Sequence, residues 1–118
     1  MEMIDKQLNG IHIVCPIGSI DAVSAPEIMN HFSEVVAAGH VDLIVDLSSV
    51  DYTSSAGLRV LLAAVKETRA AGGDLRLAGV QPDVFKVLSL SGFTNILQIY
   101  DDIESAAGSF EQPDAERA

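Results

Sequence analysis

The sequence predicts an α/β fold with a mostly parallel sheet. Two features carry this prediction: a β-hairpin signal near the N-terminus and a regular alternation of helix-like and strand-like segments after it. With 118 residues, 48% of them hydrophobic, the chain is long enough to bury one core without disulfides or metals. We expect one domain over residues 1–110, with four or five strands, an antiparallel edge strand and helices packed on the sheet. Residues 111–118 are expected to form a frayed acidic tail.

The hairpin is predicted around the dipeptide Asn9-Gly10. This pair is typical of a two-residue turn between antiparallel strands, because both turn positions require positive φ. Apolar residues flank the dipeptide on both sides. Strand one is therefore expected over residues 2–8 and strand two over residues 11–17.

The alternating part begins with a first helix, for which Ser24 and Glu27 fit a capping box and Gly39 fits the end. Residues 41–47 are nearly all aliphatic, as in a strand that is covered on both faces. The later segments are a helix over 57–71, a strand over 74–80, a helix over 82–90, a strand over 96–100 and a helix over 101–110. This order predicts parallel strands joined by right-handed helical crossovers. The expected core includes Leu43, Ile44, Val45, Leu47, Leu61, Leu62, Leu75 and Leu77.

Charge and targeting signals restrict the class of function. Seventeen acidic residues against seven Lys and Arg give a net charge of −10. This balance disfavours direct binding to nucleic acid or to an anionic membrane, and it favours partners with basic patches. No apolar run is long enough to cross a bilayer, and the N-terminus lacks the apolar region of a secretory signal. A single cysteine, Cys15, fits a reducing compartment, so we expect a cytoplasmic protein.

Residue spacing indicates neither a metal site nor an enzymatic site. His12 and Cys15 are three positions apart on a predicted strand and so point to opposite faces, while His31 and His40 have no second pair of ligands near them. The chain contains no nucleophile elbow, P-loop or dinucleotide-binding fingerprint. We therefore expect no metal, no cofactor and no catalysis.

Three hydroxyl side chains, Thr53, Ser54 and Ser55, precede the second helix, and Ala56-Gly57 follows them. One hydroxyl before a helix is enough for an N-cap, which is worth about 1 kcal/mol. Three hydroxyls followed by two small residues exceed this need and leave the backbone open to an approaching partner. From spacing alone, a cap and a site of modification are equally good interpretations.

The same stretch, residues 46–58 (DLSSVDYTSSAGL), resembles the STAS domain of bacterial anti-sigma factor antagonists. Residues 18–21 (GSID) resemble the motif that follows the second strand in this family. The hairpin, the first helix with its proline and the Gly72-Gly73 pair also correspond, so the resemblance covers residues 2–110. It implies a STAS-type fold.

The resemblance also implies a switch between protein partners. In the family, the serine immediately before the [SA]-G-[LIV] motif is phosphorylated by a partner that is both an anti-sigma factor and a serine kinase. The unphosphorylated antagonist binds this partner and frees the sigma factor, the phosphorylated antagonist is released, and a serine phosphatase resets it. The corresponding serine is Ser55, with Ser54 as a second choice.

We expect the partner-binding residues to lie at one end of the sheet, because sites in α/β folds follow the carboxyl ends of the strands. They are Asp21, Ser54, Ser55, Gly57 and Arg59. Within the hydroxyl cluster, Thr53 or Ser54 is expected to cap the second helix, which would leave the Ser55 hydroxyl facing solvent.

Two other functions remain open at this point. One is a STAS scaffold subunit of a stress-sensing or lipid-transport complex. The other is a small hydrolase with Ser55 as nucleophile, for which the sequence offers no further support. The sequence does not predict an oligomeric state.

Overall fold

A computed structural model describes residues 1–111 as a mixed sheet with helices on both faces. The strands and helices lie in the following order along the chain: β1 (Glu2–Leu8), β2 (Ile11–Ile20), α1 (Ala25–Ala37), β3 (Asp42–Asp46), β4 (Val50–Thr53), α2 (Ser55–Ala70), β5 (Asp74–Ala78), α3 (Pro82–Leu90), a 3₁₀ turn (Phe93–Asn95), β6 (Ile99–Tyr100) and α4 (Ile103–Ser109). The expected tail falls outside the described residues from position 112 onward.

The sheet confirms the predicted fold class. Its strands follow the order β1-β2-β3-β5-β6, and β4 pairs with β2 off this path. Only the pairing of the edge strand β1 with β2 is antiparallel; the pairs β2–β3, β2–β4, β3–β5 and β5–β6 are parallel. The described part of the chain has six strands, one more than the four or five expected. The additional strand is β4, which has only four residues and is defined by its pairing with the end of β2.

The hairpin forms where it was predicted. Leu8 pairs with Ile11 across the turn, and both turn residues have positive φ, 54° at Asn9 and 80° at Gly10. Strand β2 continues three residues beyond its predicted end, to Ile20. The extension is stabilised by β4, which pairs with this last part of β2.

The core is divided between the two faces of the sheet. One face packs against α1, α2 and α3, and the other packs against α4. Of the eight predicted core residues, seven are buried, whereas Leu62 is only half-buried. No helix within residues 1–111 is long and apolar enough to span a membrane.

Two predicted local features are wrong. Ser24 makes no capping hydrogen bond to α1, and Glu27 instead pairs with the N-terminal ammonium group of Met1. The last strand is limited to Ile99–Tyr100, because the N–H groups of Ile96 and Leu97 bond back to the Phe93 carbonyl and continue the 3₁₀ turn. In both places the folded chain forms a different interaction from the one that the local sequence pattern predicts: an ion pair at Glu27 and a 3₁₀ turn before the last strand.

The three histidines, which are far apart in the sequence, form one cluster: two of them contact Asp5 and the third lies against the ring of one of these two. The carboxylate Oδ1 of Asp5 lies 2.9 Å from His12 Nε2 and 2.8 Å from His31 Nε2, and the rings of His12 and His40 are 4.9 Å apart. Burial would raise the pKa of Asp5, but the hydrogen bonds from the two imidazoles lower it below the usual range. The cluster connects the hairpin to α1. Among the described residues, no group of histidine, cysteine or acidic side chains has an arrangement that could hold a metal ion.

Candidate functional site

The two motifs that follow β2 and β4 lie side by side. The strands are parallel, Ile20 pairs with Thr53, and the Ser54 N–H donates a 2.8 Å hydrogen bond to the Ile20 carbonyl. Asp21 and Ser54 therefore leave the sheet from adjacent positions at the same edge. The expectation that both motifs lie at one end of the sheet is met by a strand that the sequence did not predict.

Asp21 organises the loop between β2 and α1. Its Oδ1 accepts hydrogen bonds from the backbone N–H groups of Val23 and Ser24, both at 3.0 Å. The Ser24 hydroxyl in turn accepts from the Asp21 N–H at 3.0 Å. The hydrogen bond from the Ser24 N–H is the main cause that lowers the pKa of Asp21. An ionised Asp21 thus fixes the loop in a conformation that leaves the Val23 side chain 81% exposed.

The three hydroxyls at the start of α2 have different surroundings. Thr53 is buried, with 4% exposure, and its Oγ1 donates to the Ser54 carbonyl at 3.3 Å. Ser54 is the N-cap, since its Oγ accepts from the Gly57 N–H at 3.4 Å. Ser55, the first helical residue, is exposed, and within residues 1–111 its hydroxyl makes no hydrogen bond. The prediction that Thr53 or Ser54 caps the helix is confirmed for Ser54.

Gly57 has a packing role that the sequence did not predict. A Cβ at this position would lie 2.2 Å from Thr53 Oγ1 and 2.7 Å from Ile20 Cγ2. The missing side chain lets the first turn of α2 approach the ends of β2 and β4 closely. Because Gly57 is buried, the structure places it beneath the candidate surface and not on it.

Arg59 lies at the rim of an apolar groove between α1 and α2. Its side chain is exposed and makes no ion pair within residues 1–111. The groove has a volume of about 410 Å³. Small and apolar side chains form most of its lining, which consists of Ala22, Ala25, Pro26, Met29, Ala56, Arg59, Val60 and Ala63.

Two exposed apolar side chains lie in the same two segments as Asp21 and Ser54, and sequence analysis did not select either of them. Val23 is 81% exposed in the loop after β2, and Tyr52 is 54% exposed in β4. Val23 directly follows the groove residue Ala22, and an exposed apolar side chain beside an apolar groove favours a surface that binds a partner. Tyr52 belongs to the quoted motif, so the signal was present, but only the hydroxyl cluster that follows it was selected as a candidate site. The name "α2 edge" is used below for Asp21, Val23, Tyr52, Ser54, Ser55 and Arg59.

The fold is that of a STAS domain. The family model described as the STAS domain matches residues 2–106, and the chain belongs to this family. A relative from Bordetella bronchiseptica, named "Putative anti-sigma factor antagonist BtrV", is 32% identical, and the match covers 94% of this chain and 96% of the relative. The "Anti-sigma-B factor antagonist" of Listeria monocytogenes is 30% identical over 70% of this chain and 72% of its own length.

Solved structures agree with the same fold. An anti-sigma factor antagonist from Mycobacterium paratuberculosis superposes with a TM-score of 0.83 at 24% identity, covering 94% of both chains. The anti-sigma factor antagonist SpoIIAA has been solved in an unphosphorylated form, which matches with a TM-score of 0.70 at 17% identity over 92% of this chain and 96% of SpoIIAA. The phosphorylated form, from Bacillus, matches with a TM-score of 0.72 at 18% identity over 92% and 99%. At these identities the similarity concerns the fold.

Proposed function

We propose that this protein is an anti-sigma factor antagonist controlled by phosphorylation of Ser55. In the unphosphorylated state its α2 edge binds an anti-sigma factor that is also a serine kinase, and the sigma factor is freed. Phosphorylation releases the antagonist, and a serine phosphatase restores it. The protein acts by binding and has no catalysis of its own. The names of the relatives, BtrV and the Listeria antagonist, support the anti-sigma factor as partner.

The difference between Ser55 and its two neighbours carries the proposal. Thr53 is buried and Ser54 caps α2, whereas Ser55 is exposed and makes no hydrogen bond within residues 1–111. A kinase needs a hydroxyl that is accessible and free to rotate. Among the three hydroxyls, only the Ser55 hydroxyl meets both requirements, which favours it over the second choice, Ser54.

Phosphorylation at this position is compatible with the fold. A new bond forms between Ser55 Oγ and the γ-phosphorus of ATP, the bond to the bridging oxygen of ADP breaks, and the hydroxyl proton passes to a base of the kinase. The added phosphate carries about −1.5 to −2 charges. At the N-terminus of a 16-residue helix it meets free N–H groups and the positive end of the helix dipole. We therefore expect it to change binding and to leave the domain folded.

The rest of the α2 edge suits a protein partner. The groove and the exposed side chains of Val23 and Tyr52 offer apolar surface, which is where interface energy is usually concentrated. Asp21 and the net charge of −10 favour a partner with basic groups around this apolar centre. A phosphate in the middle of the edge would be costly to desolvate against the apolar centre, and it would repel an acidic group of the partner that faces Arg59.

A hydrolase with Ser55 as nucleophile is disfavoured by the position of the histidines. All three of the chain's histidines lie in the cluster with Asp5, and His12 is in the first part of β2. Ser55 lies beyond the other end of that strand, and the strand from His12 to its last residue, Ile20, is eight residues or roughly 25 Å long. An imidazole base for the Ser55 hydroxyl is therefore out of reach.

The kinase-type anti-sigma factor is first isolated from a native cytoplasmic extract by its binding to the wild-type chain, and it is then purified. Each variant is titrated against this partner by calorimetry, once with ADP and once with ATP. The wild-type chain should bind with ADP and be released with ATP, and Ser55→Ala should stay bound in both. Ser55→Asp should bind more weakly than the wild type, because one charge imitates phosphate only in part. Ser54→Ala is the matched control, and it should still be released with ATP.

Two results would contradict the proposal. Equal affinities of the wild type, Ser55→Ala and Ser55→Asp would make Ser55 a structural residue. Mass spectrometry that locates the phosphate on Ser54 would move the switch by one position. Asp21→Ala is expected to weaken binding, and unchanged affinity would remove Asp21 from the interface.

A further inference from the structure

Arg59 lies one helical turn after Ser55 on the exposed side of α2. Both side chains are exposed, and they are four positions apart within one helix. Residues at this spacing are neighbours, with Cβ atoms about 5–6 Å apart. Helical side chains lean toward the N-terminus of their helix, so the long side chain of Arg59 extends toward the turn that contains Ser55.

The charge of Arg59 is not used inside the described part of the chain. The other two arginines of this region, Arg69 and Arg76, both form ion pairs with Asp74. Arg59 makes no ion pair within residues 1–111. Lys66 is also exposed on α2, but its Cα lies about 16 Å along the helix from that of Ser55. Arg59 is thus the cation on this helix that can reach a group attached to Ser55.

We propose that Arg59 holds the phosphate on Ser55 within the same chain. This inference rests on the phosphorylation of Ser55 proposed above. A planar guanidinium forms two parallel hydrogen bonds with a phosphate, and such charge-assisted pairs are stronger than neutral hydrogen bonds. An acidic group that precedes a basic one by four positions is also the favoured orientation on a helix.

Phosphorylation then changes the α2 edge in two ways. It adds negative charge at Ser55, and it withdraws the positive charge of Arg59 from the rim of the groove. In the unphosphorylated protein, Arg59 offers this charge to a carboxylate of the partner, next to the apolar contacts of the groove. After phosphorylation that carboxylate loses its cation and meets a phosphate instead. Arg59 is in this sense a positioning residue of the switch.

The test uses the full chain with phosphoserine incorporated at position 55 during translation, so neither kinase nor partner is needed. The ³¹P chemical shift is followed against pH at low salt for the wild type, Arg59→Gln, Arg59→Lys and Lys66→Gln. If Arg59 binds the phosphate, the titration midpoint of the wild type should lie roughly 0.15–0.4 pH unit below that of Arg59→Gln. Arg59→Lys should keep part of this difference because it keeps the charge, and Lys66→Gln should match the wild type. The difference should shrink at about 1 M salt, where charges are screened within about 3 Å.

Equal midpoints for the wild type and Arg59→Gln would overturn the role of Arg59, and so would an equal displacement in Lys66→Gln. Circular dichroism of all four proteins verifies that the fold is kept, and Arg59→Lys provides a second comparison if Arg59→Gln is unstable. Failure of the role given to Arg59 is distinguishable from failure of the proposed function of Ser55. The titration contains no partner, so equal midpoints would leave the Ser55 switch standing, whereas binding that does not respond to Ser55 would remove the switch whatever the midpoints.

Discussion

Arg76 and Arg59 lie in two regions of the molecule that satisfy their polar groups differently. Arg76 is 2% exposed beneath α4; its Nε donates to Asp74 Oδ2 at 3.1 Å, and its guanidinium carbon lies 4.1 Å from the centre of the Phe110 ring. Arg59 is exposed on the α2 edge and makes no ion pair within residues 1–111. One arginine is fully used by the fold, and the other is available to something outside it.

Serines of the two regions differ in the same way. The Ser109 hydroxyl accepts from Arg76 Nη1 at 2.6 Å and donates to the Ala106 carbonyl at 2.5 Å, so both of its hydrogen-bonding functions are used. The Ser55 hydroxyl has neither contact within the described residues. Buried polar groups must find partners inside the chain, because leaving them unsatisfied costs several kcal/mol. Polar groups on the surface that make no contact within the fold are therefore better candidates for function than the buried network of Arg76, Asp74 and Ser109.

The largest expected effect comes from Arg76→Ala. It removes the contacts to Ser109 and Phe110 and leaves Arg69 as the remaining ion-pair partner of Asp74 among the described residues. Breaking a buried ion pair by removing one partner typically costs 3–5 kcal/mol, and because Arg69 remains we expect a loss of about 3 kcal/mol in the free energy of unfolding. Urea denaturation measures this loss. Arg59→Ala is the matched control and should stay within about 0.5 kcal/mol of the wild type. Similar losses in both variants would contradict the conclusion that the fold depends on Arg76 and not on Arg59.

Gly57→Ala tests the close approach of α2 to the sheet. The new Cβ would lie 2.2 Å from Thr53 Oγ1 and 2.7 Å from Ile20 Cγ2, and overpacking of this kind costs about 1–3 kcal/mol. Gly108→Ala in α4 is the control, because its Cβ meets nothing within 4 Å. The control should be stabilised by about 0.5–1 kcal/mol, since alanine is the better helix former. Thermal melts of both variants decide the point, and a stabilised Gly57→Ala would show that the contact is not tight.

Ser54→Ala and Ser55→Ala separate the cap from the free hydroxyl. Loss of the Ser54 cap should lower the free energy of unfolding by about 0.5–1 kcal/mol, toward the small end because its hydrogen bond is 3.4 Å long. Ser55→Ala should change stability by less than about 0.5 kcal/mol, because the fold does not use its hydroxyl. Chemical denaturation of the two variants under identical conditions is sufficient. A larger loss of unfolding free energy in Ser55→Ala than in Ser54→Ala would show that Ser55 stabilises the helix and that Ser54 does not.

The smallest effect concerns Asp21 and pH. Its pKa in the folded protein lies below the ordinary value of 3.8, mainly because the Ser24 N–H binds the carboxylate. Its contribution to stability is therefore fully present well above pH 3.8 and is lost as the pH falls through the lower folded pKa. The stability difference between the wild type and Asp21→Ala should shrink on acidification through this range. Asp101→Ala, at an exposed acid, controls for the general effect of charge. A stability difference that does not depend on pH would contradict the role given to the Asp21 carboxylate.

Much of the fold was predictable because its signals are local. The Asn9-Gly10 turn, the aliphatic strand β3 and the helical periodicities each depend on residues close together in the sequence, and the structure confirms all three. Strand β4 was missed because it has four residues and its position depends on pairing with β2. The end of the sheet that carries the candidate site was predictable, since parallel strands present their carboxyl ends at one edge.

The sequence by itself determined the α/β class, the hairpin, the order of the helices and of the described strands other than β4, and the presence of surplus hydroxyls before α2. Only the tertiary structure decided which hydroxyl caps the helix, which arginine is buried, and that His12, His31 and His40 gather around Asp5. The physical reason is the range of the interactions. Turns, helices and strands depend on neighbours along the chain, whereas burial and hydrogen bonding of a polar side chain depend on distant segments that packing brings together, such as Arg76 and Ser109, 33 positions apart.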